Sequence, residues 1–238
     1  MKPFPSWGAL AAFMLTVAAR AAENPPPVQV SEDATQIVLD NGSVGLTVSK
    51  QSGVVSSIRG RVNGQDRELG NGSNAMYFDF DNHNRGHWVF GQQGSATTRL
   101  LNSSPDSAEV SVASEPGAVC PFRTDIHYIL RRGDSGFYCY VVYQHGAGMP
   151  ACTWEQTRAV IRTVKGTDPF SNYVIDDART GPYPSGQVLR TVFDTTWLYA
   201  ADNTAHSKYE FASFIGDDLV HGLAGHGVGL WMIAPSRE

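Results

Sequence analysis

Three stretches of the chain gather side chains able to do chemistry. In Ala205-His206-Ser207-Lys208-Tyr209-Glu210-Phe211, an extended backbone puts His206, Lys208 and Glu210 on one face and Tyr209 and Phe211 on the other. Three ionisable groups then line a single surface beside a long loop. The same pattern fits a solvated strand face on which a carboxylate steadies Lys208. In Trp154-Glu155-Gln156-Thr157-Arg158-Ala159-Val160-Ile161-Arg162, strand spacing sends Trp154, Gln156, Arg158, Val160 and Arg162 to one side. An aromatic ring and two guanidinium groups on a shared face suit a sugar acid. The ring stacks on the sugar, and arginine grips the carboxylate through two parallel N–H donors. A surface ladder paired with acidic neighbours fits the pattern as well. The third stretch, Asn82-His83-Asn84-Arg85-Gly86-His87-Trp88, is polar and aromatic and reads as a loop. It suits sugar contact, or a Trp88 that plugs the core. Asp79 and Asp81 just before it offer oxygen ligands for calcium, without the glycine and downstream glutamate of an EF-hand loop.

Several common chemistries lack their signatures. There is no Gly-x-Ser-x-Gly elbow, no His-Glu-x-x-His, no phosphate loop and no dinucleotide fingerprint. No Cys/His spacing suggests zinc, and nothing nominates a glycosidase-like pair of carboxylates.

The elements that must position these groups read as strands. Ile37 and Leu39, then Val44, Leu46 and Val48, alternate with polar neighbours around the turn Asp40-Asn41-Gly42. Residues 53–58 form another strand, followed by the turn signal Asn63-Gly64. Further strands are predicted at 107–113, 126–130, 137–143, 157–164, 187–192 and 209–214. Arg131-Arg132-Gly133-Asp134 reads as a hairpin turn. Short strands at this spacing predict an all-β fold, a large antiparallel β-sandwich. Three segments are predicted as long loops: 70–85, 168–186 and 197–206. Such loops on a rigid sandwich are where a binding cleft is built.

Composition frames this reading. The chain has 238 residues, of which 42% are hydrophobic, enough for one large β domain with a sizeable core. A net charge of −5 argues against a nucleic-acid partner, which calls for a basic excess. If the substrate is acidic, a few placed cations must bind it. Lys2, the apolar run that follows and Ala19-Arg20-Ala21 predict a signal peptide over residues 1–21, cleaved after Ala21. The run is too short for a membrane span. The expected location is therefore extracellular, with no membrane partner and a monomeric state. Residues 22–35, with Pro25, Pro26 and Pro27, read as an extended leader. Export permits disulfides, and Cys120, Cys139 and Cys152 allow one bridge with one thiol left over. Asn41-Gly42-Ser43, Asn71-Gly72-Ser73 and Asn102-Ser103-Ser104 are glycosylation acceptors in a eukaryotic host. Val228 to Pro235 reads as a buried strand leaving the core just before the chain stops. Residues 36–238 are therefore expected to be an incomplete domain.

The ordered motifs resemble one family. Leu39-Asp40-Asn41-Gly42 with Gly53-Val54-Val55-Ser56-Ser57-Ile58 is similar to the opening of rhamnogalacturonan lyases of polysaccharide lyase family 4. Arg85-Gly86-His87-Trp88 resembles their Arg-Gly-aromatic-Trp segment, and Arg158-Ala159-Val160-Ile161-Arg162 a family strand with arginines four apart. Ser207-Lys208-Tyr209, Val220-His221-Gly222 and Gly229-Leu230-Trp231-Met232-Ile233-Ala234-Pro235-Ser236 resemble the family's most recognisable run. The resemblance implies an N-terminal catalytic domain of the galactose-mutarotase-like sandwich type, followed in the family by two further β domains. It implies β-elimination at the rhamnose–galacturonate bond of rhamnogalacturonan I, a polysaccharide substrate, leaving a 4,5-unsaturated galacturonate. It places the catalytic base on Lys208 and the substrate-carboxylate arginine on Arg158. No cofactor is implied. A guanidinium near Lys208 and partial burial would both lower its pKa, as a base requires. The family's histidine, thought to protonate the leaving oxygen, would lie past Glu238. His206, His221 and His226 do not align with it. Two other classes share the fold: a non-catalytic pectin-binding module, and a mutarotase-like aldose epimerase.

Overall fold

Alternating apolar residues become strands wherever a second sheet can cover their inner face. The computed structural model describes residues 24–83, 86–90, 96–164, 169–174, 180–182, 188–193, 196–199, 203–207 and 220–233. Its first seven strands are β1 (Gln29–Glu32), β2 (Gln36–Asp40), β3 (Val44–Ser49), β4 (Val55–Val62), β5 (Gln65–Glu68), β6 (Met76–Asn82) and β7 (Gly86–Val89). Five more follow: β8 (Ala96–Ser103), β9 (Ser107–Ser114), β10 (Arg123–Arg131), β11 (Phe137–Gln144) and β12 (Trp154–Ile161). One sheet runs β1-β2-β3-β4-β6-β12, with β5 added beside β4 and β7 beside β6. A second runs β11-β10-β9-β8, and every pairing is antiparallel.

The two sheets share one core. Ile37, Leu39, Leu46, Val48, Ile58 and Phe80 from the first join Val110, Val112, Ile126, Tyr128 and Leu130 from the second in a single buried cluster. Two smaller antiparallel sheets follow in the chain. β13 (Asn172–Val174), β14 (Thr180–Pro182), β18 (Val220–Gly225) and β19 (Val228–Ile233) form one, in the order β14-β13-β18-β19. β15 (Val188–Phe193), β16 (Thr196–Tyr199) and β17 (Ala205–Ser207) form the other. The all-β antiparallel sandwich predicted from the sequence is the fold observed. Among the described residues, no helix is long and apolar enough to cross a membrane.

The turn signals fold as their residues dictate. Asn63 and Gly64 both take positive φ, 52° and 79°, and close the β4–β5 hairpin with the twist such two-residue turns require. At Gly42 φ is 83°, and an added Cβ would lie 2.4 Å from Pro26 Cγ, so any side chain there meets both strain and a clash. Asn41 beside it is fully buried. Its Nδ2 donates to the carbonyls of Arg131 (2.7 Å) and Asp134 (2.9 Å), tying the β2–β3 turn to the β10–β11 hairpin of the other sheet. Its Oδ1 accepts from the backbone N–H groups of Ser43 and Val44. That burial removes Asn41 from the glycosylation acceptors.

Several expectations change. The segment read as a leader contains β1, which pairs with β2, and Val28 before it is buried. The predicted loop at 70–85 holds a turn of 3-10 helix (Gly72–Asn74) and then β6, a central strand. The predicted loops at 168–186 and 197–206 carry β13, β14 and most of β16 and β17. β19 forms where a strand was predicted, but Trp231 and Ile233 are 44% and 69% exposed, so it is not buried on both faces. The three cysteines are free thiols. The predicted signal peptide at 1–21 and the strand at 209–214 lie outside the described residues.

Candidate functional site

The sequence pattern that matters is two complementary alternations. Tyr77, Asp79 and Asp81 point to one face of β6, while Met76, Phe78 and Phe80 point to the other. β12 runs antiparallel beside β6, and its register sets Arg158 opposite Asp79 and Gln156 opposite Asp81. β7 flanks the other edge of β6 and sets His87 opposite Asp81. A carboxylate row thus lies between a guanidinium strand and an imidazole.

Asp79 is only 1% exposed. A carboxylate so buried must be paired and hydrogen-bonded, since desolvating it alone costs several kcal/mol. Arg158 supplies the pairing from the side of its guanidinium. Nε donates to both carboxylate oxygens at 2.9 and 3.2 Å, and Nη2 donates to Oδ2 at 2.6 Å. This hydrogen bonding holds the Arg158 pKa above its already high ordinary value, against a smaller opposing effect of burial. The Arg158 side chain is itself 40% exposed. Among the described residues, no partner occupies its outer edge, formed by Nη1 and the second Nη2 hydrogen.

His87 completes the row. Its Nδ1 lies 2.6 Å from Asp81 Oδ1, and its Nε2 lies 3.7 Å from Asp79 Oδ2. The Gln156 amide also donates to Asp81. That bond is the main reason the Asp81 carboxyl sits below the usual carboxylate range, with His87 adding to it and desolvation opposing. Arg162, just past β12, reaches the same face. It stacks over the Tyr77 ring at 5.2 Å and donates to the Tyr77 hydroxyl at 3.0 Å.

The structure sorts the predicted site residues. Arg158, Arg162 and Gln156 share a face, as strand spacing predicted. Trp154 does not join them. The register slips by one residue between Trp154 and Gln156, so Glu155 is an extra residue that turns Trp154 to the opposite side. There it stacks flat on Phe122, 5.0 Å between centroids and 1° between planes. It also meets Phe80 and Tyr143 edge-on. Trp88 is buried in the core cluster. His83 pairs with Glu155, Nδ1 to Oε1 at 2.6 Å. Asp79 and Asp81 are engaged by Arg158, His87 and Gln156. Among the described residues, no group of three or more His, Cys, Asp or Glu is placed to hold a metal ion. His206 lies on β17 opposite Trp197, with Nε2 2.8 Å from Thr204 Oγ1. Lys208, Glu210 and Arg85 lie outside the described residues, so the face predicted for His206, Lys208 and Glu210 is not on view.

From sequence, Asp79 reads only as a calcium ligand and His87 only as part of a segment suited to sugar contact; neither reads as a neighbour of Arg158. The signal for Asp79 was present. Asp-x-Asp on β6 and Gln-x-Arg on β12 are matched in sign and period, and only the pairing of the two strands makes the match visible.

Fold and face together define an all-β sandwich protein with an arginine presented on a carboxylate-backed sheet face. A sequence model of the rhamnogalacturonate lyase family matches residues 13–191, a span that includes Asp79, His87 and Arg158. A rhamnogalacturonate lyase of Dickeya dadantii (strain 3937) is 24% identical over 247 aligned residues. The alignment covers all of this chain and 40% of that relative. The chain belongs to the rhamnogalacturonate lyase family, and it spans about two-fifths of the length of the curated relative it matches.

Proposed function

We propose that this chain carries the galacturonate-recognising part of a secreted polysaccharide lyase that cleaves the rhamnogalacturonan I backbone by β-elimination. The observation that carries the reading is Arg158. A family-matched strand presents its guanidinium, one edge fixed on a buried carboxylate and the other turned outward. A uronate carboxylate fits that outer edge through two parallel N–H donors.

The chemistry follows from the substrate. The proton at C5 of galacturonate is weakly acidic because it lies α to a carboxylate. Its removal places negative charge on that carboxylate, where Arg158 offsets it. Lys208, in neutral form, is the group proposed to take the C5 proton. The C5–H electron pair becomes the C4–C5 double bond as the C4–O4 bond breaks. O4 leaves with the adjoining sugar and gains a proton. No water is consumed, which separates this reaction from hydrolysis.

Incubation of the full-length enzyme that carries this chain with rhamnogalacturonan I tests the proposal. An increase in ultraviolet absorbance from the conjugated unsaturated uronate is expected. Saturated oligomers without new absorbance would mean hydrolysis and would overturn elimination. Binding with no product would instead assign the chain to a non-catalytic pectin-binding module. Lys208→Ala should abolish the absorbance increase, and retained activity would remove Lys208 from the base role.

A further inference from the structure

We propose that Asp79 is a positioning residue that decides which edge of Arg158 the substrate meets, and so makes the site read carboxylate geometry more than charge. The inference rests on the reading of Arg158 as the carboxylate-binding group. A guanidinium has five N–H donors and two edges able to grip a carboxylate with a parallel pair. Asp79 takes one edge completely, through Nε and Nη2. The remaining pair, on Nη1 and Nη2, is held in one orientation.

Asp79 is itself locked. It lies on β6 between two partner strands, with its side chain 1% exposed. The Thr157 hydroxyl donates to its backbone carbonyl at 2.9 Å, and Thr157 Oγ1 lies 2.8 Å from the Tyr143 hydroxyl. His87 Nε2 approaches its Oδ2 at 3.7 Å. Such a pair is a poor stability device, because apolar residues of similar volume often replace a buried ion pair at no cost. Its distinctive product is orientation. The Arg158–Asp79 pair carries no net charge, so it binds an anion through directed hydrogen bonds and not through long-range attraction. A planar carboxylate suits that edge.

This reading and a simple charge reading predict opposite signs. Asp79→Asn removes a negative charge next to the site. If Arg158 worked as a point charge, binding of an acidic ligand would tighten. If Asp79 positions Arg158, binding weakens, because a swivelling guanidinium loses its paired geometry. The experiment measures affinity for a rhamnogalacturonan oligosaccharide and for the same oligosaccharide with its carboxyl groups reduced to alcohols. Loss of one charge-assisted hydrogen bond corresponds to roughly tenfold or more in affinity. Asp79→Asn should lose that much for the acidic form and nothing for the reduced form. In an Arg158→Lys background, where no side-on pair exists, Asp79→Asn should cause no further loss.

Unchanged or tighter binding by Asp79→Asn, with Arg158→Ala still weakening the acidic ligand, would overturn the positioning role and leave the Arg158 reading standing. If Arg158→Ala leaves the preference for the acidic form intact, the Arg158 reading fails and this inference with it. Should Asp79→Asn not fold, Asp79→Glu keeps the charge and moves the carboxylate by one methylene. Positioning then predicts the same selective loss, and a charge role predicts none.

Discussion

Arg158 and Arg162 lie four residues apart and face the same way, yet their settings differ. Arg158 is bonded to a buried carboxylate, whereas Arg162 lies over a phenol ring. Residue identity and spacing revealed the shared face but could not rank the two, because the partners come from β6. The thiols make a separate point at this scale. Burial pushes both Cys120 and Cys139 up to about 11. Thiols react as thiolates, so alkylation of these two should be slow at neutral pH in the folded protein and fast once denaturant is added. Mass spectrometry of iodoacetamide-treated samples checks this, and rapid folded-state labelling would contradict it. The same shift sets a pH dependence. Below the ordinary value of 9.0 both folded and unfolded thiols keep their protons, so stability is unaffected. Between 9.0 and about 11 the unfolded state ionises first, and stability falls as pH rises.

At the level of elements, the bulge in β12 decides which residues share the arginine face. Glu155 is the extra residue. Deleting it should leave Trp154 opposite Asn82 and still facing Phe122, because the ladder becomes regular without inverting either side. Deleting Thr157 instead also makes the ladder regular, but it sets Glu155 opposite Asp81 and turns Gln156 to the apolar face opposite Phe80. The Glu155 deletion is therefore expected to keep a cooperative melt and native-like tryptophan fluorescence, and the Thr157 deletion to melt at a lower temperature, because it loses the Gln156–Asp81 and Thr157–Asp79 hydrogen bonds. A Glu155 deletion that unfolds would refute this account. The bulge also explains what the sequence could not disclose. Alternation located β2, β3, β9 and β10, whose inner faces are apolar and outer faces largely polar, and it located β11 although Tyr138, Tyr140 and Val142 lie on its outer face. An inserted residue leaves no mark in composition, so Trp154 was assigned to the wrong side. β6 was hidden for a related reason. Aspartates on a central strand look like loop residues until Arg158 and His87 are seen to satisfy them.

For the molecule as a whole, two sheets closing on one core fix the frame, and the arginine face grows from one end of the larger sheet. Phe80 shows how the halves depend on each other. It lies in the core against Phe90 and Phe122, between Asp79 and Asp81 that serve the opposite face. Packing on one side of β6 therefore sets side-chain positions on the other. The fold class was legible because strand periodicity and turn residues are local. The meeting of β6 with β12 was not, since residues 79 and 158 are brought together only when the sheet assembles.

The buried Asn41 gives the chain a way to record its own age. Asparagine followed by glycine is chemically prone to deamidation, and the sequence has that pair at Asn41, Asn63 and Asn71. Asn63 sits exposed in a hairpin turn, whereas Asn41 has both amide hydrogens committed to carbonyls of the opposite sheet. Conversion of Asn41 to aspartate would set an acceptor against two acceptors in a dry site, removing a link between the sheets and leaving an unpaired polar group there. Peptide mapping of protein stored under mildly alkaline conditions should show Asn63 converted early and Asn41 spared, until the sheets come apart. Early conversion at Asn41 would show that the turn opens freely. Spared Asn41 would turn the slow loss of this one amide into a chemical timer for how often the sandwich separates.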